Sequence, residues 1–305
     1  FVLILASRII KILENRLDVI LWRQLVNNKL KPMFKWSGGK RRELSHIHEH
    51  MPDKFDKFCE PFVGGGAAWF SLKHTENVVG DVNEDVINFY NVTKQHGKKF
   101  IDDLNSFAAN YKSALETLKP KMREEFKPLA DTYYKWRDGD YTSNYDRAKR
   151  FYILRNLAFG GMLRYNRAGK FNVPYGYYKN FKTLDWDANY ERLFQNTSFI
   201  HNTWDATVDP MGSDDFVFLD PPYTREFTKY APQGDFGEKE HIELSEWFKN
   251  KQAKALIILN KDDFTNDLYG DYISEEYEFS YGVRYRKDRL NKDDVTTYHF
   301  VATNY

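Results

Sequence analysis

Short apolar runs that each end in a polar turn recur along the chain, and this repetition restricts the possible folds more than any other feature. The run Phe216–Leu219, for example, ends abruptly in an acid, two prolines and a tyrosine. Strands are predicted within residues 54–75, 77–94, 197–206, 214–223 and 254–263, with a helix at 241–250 and closing strands near 274–287 and 295–304. Strands that alternate with helices indicate a parallel α/β sheet.

Residues 95–195 interrupt this alternation. Helical periodicity predicts helices near 97–118, 121–137 and 144–158, followed by a hairpin-like stretch at 160–176. We therefore expect an inserted, mostly helical domain that carries a β-hairpin. The predicted organisation begins with a helical leader at 1–32. A catalytic domain follows in two parts, at 33–94 and 196–305, and the insert at 95–195 lies between these parts.

The leader is predicted to contain an amphipathic helix at 7–27 and no chemistry. Its apolar start is too short for a signal peptide, and we expect no association with a membrane. Because Met33 stands just before the first strong motif, the sequence leaves open whether the leader belongs to the natural protein.

The charge of the chain is unevenly distributed. The net charge is only +1, yet residues 141–190 contain nine Lys or Arg and three Asp or Glu, which makes +6 for this segment. A basic segment in a neutral chain is typical of a contact with a polyanion, although a solvated surface without a partner has the same composition. Cys59 is the only cysteine, which excludes a disulfide framework and suits a reducing cytoplasm.

Two motifs predict a ligand that contains adenosine. Glycines follow a predicted strand at 62–66, where they allow close approach of the backbone to a ligand. The next strand ends at Asp81, whose carboxylate could accept hydrogen bonds from two ribose hydroxyls. A helix-capping aspartate would also fit this position. Asp205, near the end of the third strand, could accept a bond from an adenine amine or could simply be a turn residue.

The turn Asp220-Pro221-Pro222-Tyr223 suits a reaction at an amine on an aromatic ring. Such an amine is a poor nucleophile because its lone pair is delocalised into the ring. A carboxylate and a proline carbonyl that each accept one of its N–H bonds favour a pyramidal nitrogen with a free lone pair. The prolines fix the backbone and provide only acceptors, and the tyrosine offers a stacking surface.

Residues 34–40, FKWSGGK, contain a Gly-Gly turn between Trp36 and Lys40. Such a loop can cover a ligand with an aromatic plane and a fixed charge. Taken together with the other motifs, the sequence resembles the DNA adenine methylase (Dam) family of N6-adenine methyltransferases. The resemblance covers roughly 33–305 and includes residues 155–176, RNLAFGGMLRYNRAGKFNVPYG, between the glycine motif and the Asp-Pro-Pro-Tyr turn.

This resemblance implies a Rossmann-like methyltransferase sheet that binds S-adenosylmethionine and releases S-adenosylhomocysteine. The cofactor would be surrounded by Trp36, Lys40, Phe62, Gly64, Gly66, Asp81, Asp205 and Asp220. Asp220 and Tyr223 would hold an adenine flipped out of duplex DNA, with the Pro221 carbonyl as the second acceptor. Flipping is needed because the amine cannot meet the methyl group while the base is stacked.

The resemblance also implies roles on DNA. Lys35 and Arg164 match positions that contact guanines in GATC-type enzymes, and Met162 and Pro174 could touch a thymine methyl. Phe159 would fill the space beside the flipped base. The remaining predicted DNA contacts are Asn166 within the motif and Arg155, Arg167 and Lys170 at phosphates. The alternatives are a phosphate contact or an internal ion pair for Arg164 and a solvated side chain for Lys35. For Met162 and Phe159 the alternative is a position partly in the core.

We therefore expect a site-specific adenine-N6 DNA methyltransferase that acts on GATC or a site containing it. A monomer in the cytoplasm of a bacterium or phage host is expected, without an obligate protein partner or a metal. Gly160 stands where relatives commonly have Asn, so the sequence departs from the family at this position. Methyl transfer to RNA or to cytosine N4, and a decayed site that only binds DNA, are the alternative functions.

Overall fold

The computed structural model describes residues 30–166, 169–223, 236–250, 252–280 and 296–305. Within these ranges the strands form one mixed sheet in the order β3-β2-β1-β4-β5-β7-β6. The strands are β1 Phe58–Glu60, β2 Asn77–Asp81, β3 Thr197–His201, β4 Phe216–Leu219, β5 Lys254–Asn260, β6 Ile273–Ser280 and β7 Thr296–Thr303. This architecture agrees with the predicted Rossmann-like methyltransferase sheet.

Helices flank the sheet and build the insert. In the described part of the chain they are α1 Leu44–His50, α2 Ala67–Leu72, α3 Glu84–His96, α4 Lys98–Leu118, α5 Lys127–Asp138, α6 Asn144–Leu157, α7 Ala188–Gln195, α8 Trp204–Val208, α9 Glu238–Lys249 and α10 Asp263–Tyr269. Short 3-10 turns occupy Lys40–Arg42, Arg123–Phe126, Phe159–Gly161 and Gly270–Tyr272. None of the described helices is long and apolar enough to cross a membrane.

The centre of the sheet is the pair β1 and β4, which are parallel and place Cys59 opposite Val217. Both strands are fully buried, as expected for parallel strands covered by helices on both faces. The chain order of the strands changes direction between them. Ligands of open α/β sheets bind outside the carboxyl ends of strands at such a switch point. The fold therefore predicts a ligand site at the residues that follow β1 and β4.

The helices of the insert share the hydrophobic core of the sheet. Phe34 lies with its ring centroid 5.3 Å from that of Phe89 in α3 and 5.1 Å from that of Phe151 in α6. Arg147 of α6 also forms an ion pair with Glu84 of α3 at 2.8 Å. The insert is thus packed onto the first half of the catalytic domain, although the predicted domain boundaries stay a prediction.

The helix predicted at 121–137 is divided in the structure. A 3-10 turn spans Arg123–Phe126, and α5 starts only at Lys127 with Pro128 at its beginning. Proline is tolerated in the first turn of a helix because its missing N–H has no partner there anyway. The Glu125 carboxylate accepts hydrogen bonds from the N–H groups of Lys121 and Met122 and so stabilises the start of the 3-10 turn.

The hairpin-like stretch folds back on itself with isolated antiparallel bridges instead of continuous strands. Tyr165 pairs with Phe171, and Ala158 pairs with Tyr175. Gly169 supplies a positive φ of 71° near the tip. The predicted leader helix at 7–27 and the predicted phosphate contact Arg167 lie outside the described residues.

Gly80 allows α8 to pack against β2. A Cβ atom at this position would lie 2.7 Å from Cγ2 of the fully buried Thr207. We expect Gly80→Ala to lower the free energy of unfolding by ~1–3 kcal/mol, the usual cost of overpacking, in urea denaturation. Thr207→Ala in the same chain should recover part of this loss. Gly212→Ala is the control, since its Cβ would have no neighbour closer than 4.0 Å.

Candidate active site

Three carboxylates lie at the carboxyl ends of neighbouring strands. Glu60 ends β1, Asp81 ends β2, and Asp220 directly follows β4. Glu60 is 3% exposed and accepts a hydrogen bond from the backbone N–H of Trp69 at 2.9 Å. Burial, with a smaller contribution from the charge of Asp220, raises the pKa of Glu60 well above its usual value. The neutral form of Glu60 is therefore favoured at this position.

Lys40 forms an ion pair with Asp220. Its Nζ lies 2.5 Å from Oδ1 of Asp220 and 3.2 Å from the Gly38 carbonyl oxygen. The Lys40 side chain is 3% exposed and that of Asp220 is 18% exposed. Burial raises the pKa of Asp220 to about 6, although the nearby Lys40 cation lowers it. The pair thus keeps Asp220 ionised at neutral pH in a place that disfavours charge.

A second acid lies behind Lys40. Glu43 is 3% exposed and accepts hydrogen bonds at 2.7 Å from both the Tyr277 hydroxyl and Nδ1 of His299. Burial opposes ionisation of Glu43, but the His299 hydrogen bond, the Lys40 charge and the Tyr277 hydrogen bond outweigh it, so its pKa is lowered. Lys40 is therefore attracted by carboxylates on two sides, which fixes its position.

Tyr223 completes the turn after β4. The Lys40 Nζ lies 5.0 Å from the centroid of its ring, within the range of a cation–π interaction. The ring of His299 meets it edge-on with a centroid separation of 5.6 Å. These contacts orient the tyrosine ring beside the Asp220 carboxylate. The predicted amine-binding elements are thereby brought together at one point of the sheet edge.

His241 supports the same turn from α9. It is completely buried, and its Nε2 lies 2.9 Å from the carbonyl oxygen of Pro222. Burial lowers the pKa of His241, so a neutral ring donates this hydrogen bond. The contact holds the second proline of the turn in place.

The glycine loop at 62–66 lies against Trp36. Gly64 has a φ of +41°, and a Cβ atom there would lie 2.5 Å from Cδ1 and Nε1 of the Trp36 indole. Gly66 is in the left-handed region at +68° and begins α2, where a Cβ would meet the Trp69 ring at 2.9 Å. Only glycine permits both the close indole contact and the sharp turn into the helix.

Asp81 anchors the same loop. Its carboxylate accepts hydrogen bonds from the Gly64 N–H at 2.9 Å and from the Asn83 N–H at 2.8 Å. Burial raises the pKa of Asp81 to about 6, against the effect of these two hydrogen bonds. The helix-capping alternative does not apply to Asp81, because Asn83 caps α3 by accepting from the N–H groups of Asp85 and Val86.

Two other residues predicted at the cofactor occupy less central positions. The third strand ends at His201, and Asp205 lies beyond it as an exposed residue in the first turn of α8. Phe62 lies in the glycine loop and packs edge-on against Phe236, with ring centroids 5.4 Å apart.

Most of the described residues predicted to contact DNA lie on an accessible surface of the insert and the neighbouring loop. Lys35, Arg164, Asn166, Lys170 and Pro174 are exposed, Phe159 is 47% exposed, and Met162 is half-buried against the core. The Arg164 Nε donates to Oδ1 of Asn172 at 2.8 Å, which orients its guanidinium. Asn166 Oδ1 accepts from the Lys170 N–H at 3.0 Å and stabilises the turn between them.

Arg155 differs from the prediction of a phosphate contact. It is 6% exposed, and its guanidinium donates hydrogen bonds to the carbonyl oxygens of Gly161 and Lys35. The guanidinium also lies 5.2 Å from the centroid of the Trp36 ring. A side chain used in this way is not presented to DNA, so we assign Arg155 to the interior of the site.

Comparison with known proteins identifies the family of the chain. Residues 36–281 match the model of the D12 class N6 adenine-specific DNA methyltransferases. The chain belongs to this family. It is 34% identical over 283 residues to the Type II methyltransferase M.CviBI of Paramecium bursaria Chlorella virus NC1A. The aligned region covers 90% of this chain and 100% of that protein.

Two further relatives come from cellular organisms. This chain is 31% identical to the Type II methyltransferase M.MjaIII of Methanocaldococcus jannaschii, over 79% of this chain and 87% of the relative. It is 32% identical to the DNA adenine methylase of Serratia marcescens, again over 79% and 87%. These relatives agree with the resemblance to DNA adenine methylases.

Four residues of the methyltransferase site were not singled out from the sequence: Glu43, Glu60, His241 and His299. Glu60 had a usable signal, because it ends a predicted strand just before the glycine motif. Glu43 and His299 meet only in the folded chain, and His241 reaches the turn from a later helix. Among the described residues no cluster of three His, Cys, Asp or Glu side chains could hold a metal ion.

Replacing Lys40 should change the titration of Asp220. Because the Lys40 cation lowers the pKa of Asp220, Lys40→Met should raise it above the present value of about 6. Carbon-13 NMR of the aspartate carboxyl groups can follow this shift, with Asp220→Asn used to assign the resonance. Lys261→Met removes an exposed cation that pairs with Glu276 at 2.6 Å and should leave the Asp220 titration unchanged. An unchanged or lower pKa in Lys40→Met would contradict the assigned electrostatics.

Proposed function

We propose that this DNA adenine methyltransferase transfers a methyl group from S-adenosylmethionine to the N6 atom of an adenine flipped out of duplex DNA. The proposed target is GATC or a site that contains it. S-adenosylhomocysteine is the second product. The observation that carries this proposal is the Asp220-Pro221-Pro222-Tyr223 turn at the switch point of the sheet, beside the glycine loop and Asp81.

The turn supplies what an adenine amine needs. Lys40 binds Oδ1 of Asp220, and Oδ2 of the same carboxylate can accept one N–H of the amine. The Pro221 carbonyl accepts the second N–H, while His241 holds the carbonyl of Pro222. Because both hydrogens are held by acceptors, the nitrogen can become pyramidal. Its lone pair is then no longer delocalised into the ring and is free to attack the methyl group. The Tyr223 ring stacks on the base, and Asp220 is placed to take up the proton that the amine loses.

The residues around the glycine loop fit S-adenosylmethionine. Oδ2 of Asp81 accepts from Gly64 of the loop and Oδ1 accepts from Asn83, and each oxygen retains a lone pair for a ribose hydroxyl. Gly64 permits the close contact of the Trp36 indole, which covers the loop with an aromatic plane. Phe62 and Gly66 complete the surface around it, and Asp205 is the proposed partner of the cofactor's adenine. When bound, the cofactor supplies an electrophilic methyl group on a sulfonium.

The exposed surface of the insert suits the phosphate backbone and base edges. The basic segment at 141–190 supplies charge for the polyanion. Arg164 donates from Nε and Nη2 to Asn172, and the proposed partners of its guanidinium are the O6 and N7 atoms of a guanine. Lys35, on the neighbouring loop, is the second proposed guanine contact. Phe159, Met162 and Pro174 form the apolar part of the same surface. The exposed Phe159 can fill the space from which the adenine is flipped.

The decisive experiment measures methyl transfer from labelled S-adenosylmethionine to short duplexes. One duplex contains GATC, and the others change this site one base at a time. Mass spectrometry of the nucleosides identifies the product. N6-methyladenine in the GATC duplex alone would support reaction, substrate and specificity together. Transfer to other adenine-containing duplexes would retain the chemistry and refute the proposed site.

Removing the Asp220 carboxylate should abolish transfer. We expect Asp220→Ala to reduce the rate by roughly 10²–10⁴-fold, as for loss of one positioned catalytic group. Single-turnover assays would measure this rate, and calorimetry with S-adenosylhomocysteine should still detect binding. Asp209→Ala removes an exposed aspartate outside the site and should react normally. Retained turnover in Asp220→Ala would refute the assigned role.

Arg164 and Lys170 should differ in what they contribute on DNA. Arg164→Ala should cost roughly 1–3 kcal/mol of discrimination at one G·C pair, because a base contact carries sequence information. Lys170→Ala should weaken binding to all duplexes about equally and reduce its salt dependence, because a phosphate contact carries none. Competition between the single-base variants at several salt concentrations measures both effects. Unchanged selectivity in Arg164→Ala would contradict the base contact.

A further inference from the structure

Arg155 connects the stretch after α6, which the proposed function assigns to DNA, with the loop that carries Trp36, which it assigns to the cofactor, and Lys35, which it assigns to DNA. It lies in the last turn of α6, where the insert leads into the predicted recognition stretch. Its Nη1 donates to the Gly161 carbonyl at 2.5 Å, and its Nη2 donates to the Lys35 carbonyl. The first carbonyl belongs to the DNA-facing stretch. The second belongs to the loop at 34–40, which we call the Trp36 loop.

The Lys35 carbonyl is next to the cofactor side of the site. The Arg155 guanidinium lies over the ring of Trp36 at 5.2 Å from its centroid. Trp36 in turn lies so close to Gly64 that a Cβ there would collide with the indole. A shift of the Trp36 loop therefore changes the position of Arg155, and the reverse holds as well.

The Gly161 carbonyl is next to the DNA side. Gly161 ends the 3-10 turn that begins with the exposed Phe159 and precedes Met162 and Arg164. The turn depends on positive φ angles of 64° at Gly160 and 61° at Gly161. Two adjacent glycines make this turn easy to deform, so an external hydrogen bond to its last carbonyl has a large effect on its position.

The guanidinium can enforce a fixed relation between the two carbonyls. Its N–H groups form a rigid planar fork, so two acceptors bound to its two terminal nitrogens cannot move independently. Arg155 is 6% exposed, and an acceptor that lost its donor in this interior would not regain it easily from water. The arrangement therefore behaves as a link between the Trp36 loop and the 3-10 turn.

We propose that Arg155 is a positioning residue that couples cofactor binding to DNA binding. This inference rests on the proposed function, which assigns S-adenosylmethionine to Trp36 in the Trp36 loop, next to the DNA contact Lys35, and assigns the stretch after α6 to DNA. A cofactor that orders the Trp36 loop also orders the 3-10 turn through Arg155, so DNA then binds a turn already in place. Thermodynamic reciprocity requires that DNA raise the affinity for the cofactor by the same factor.

The test measures the affinity for S-adenosylhomocysteine by calorimetry, with and without a saturating duplex that contains GATC. In the wild type, the duplex should raise this affinity by about 5-fold or more, the lower range of allosteric coupling. In Arg155→Met the ratio should fall to about 1. In Arg155→Lys it should be intermediate, because an ammonium keeps the charge but loses the planar fork.

Arg150 provides a matched control in the same helix. Its Nε donates to the Trp136 carbonyl at 3.0 Å and its Nη2 donates to the Arg137 carbonyl at 2.8 Å. It therefore also links two backbone carbonyls, but both belong to the insert. Arg150→Met should lower stability without changing the ratio of the two affinities.

The outcomes separate the inference from the proposed function. A wild type that binds both ligands with a ratio of 1, or an Arg155→Met variant with the wild-type ratio, would overturn the coupling alone. A wild type that binds neither ligand would refute the proposed function. Should Arg155→Met not fold, hydrogen exchange of the wild type decides: S-adenosylhomocysteine should slow exchange at 159–162, and unaltered exchange there overturns the coupling.

Discussion

The ion pair between Lys40 and Asp220 determines how the rest of the site can be built. The sheet brings Glu60, Asp81 and Asp220 to neighbouring strand ends, where burial penalises each charge. A buried cation beside Asp220 offsets part of that penalty, and burial of Glu60 favours its neutral form. Glu43, with His299 and Tyr277, then holds Lys40 from the other side. The reactive carboxylate is therefore ionised near neutral pH because of residues that do not follow β4.

Such an arrangement serves function more than stability. A buried ion pair loses hydration that its own attraction only partly restores, so apolar side chains of similar size would often be as stable. What the pair provides is a carboxylate with one oxygen fixed and a tyrosine ring oriented by the same ammonium. His241 acts on the neighbouring carbonyl in the same sense. The turn is thus preorganised from three directions before any substrate arrives, as electrostatic catalysis requires.

Features that depend only on residues adjacent in the chain could be predicted from the sequence. The strand ends, the glycine loop and the Asp-Pro-Pro-Tyr turn are local, and they predicted both the α/β sheet and the place of the site. Contacts between distant segments were not predictable, as with His299 and Glu43, which are 256 positions apart. Arg155 looked like a phosphate ligand because it lies in a basic stretch, and only the fold shows that it is buried. Asn83, and not Asp81, is the helix cap, because β2 ends at Asp81 and α3 begins only at Glu84.

The shared core brings the proposed recognition insert into direct contact with the elements that carry the candidate site. Phe34, the first residue of the Trp36 loop, packs against Phe89 of α3 and Phe151 of α6. Both the loop and the helix that leads to the DNA-facing stretch are therefore fixed to the same aromatic cluster. A close-packed interior transmits displacement instead of absorbing it. The proposed recognition stretch and the candidate site then need no hinge between them, because the segments that carry them pack against the same residues.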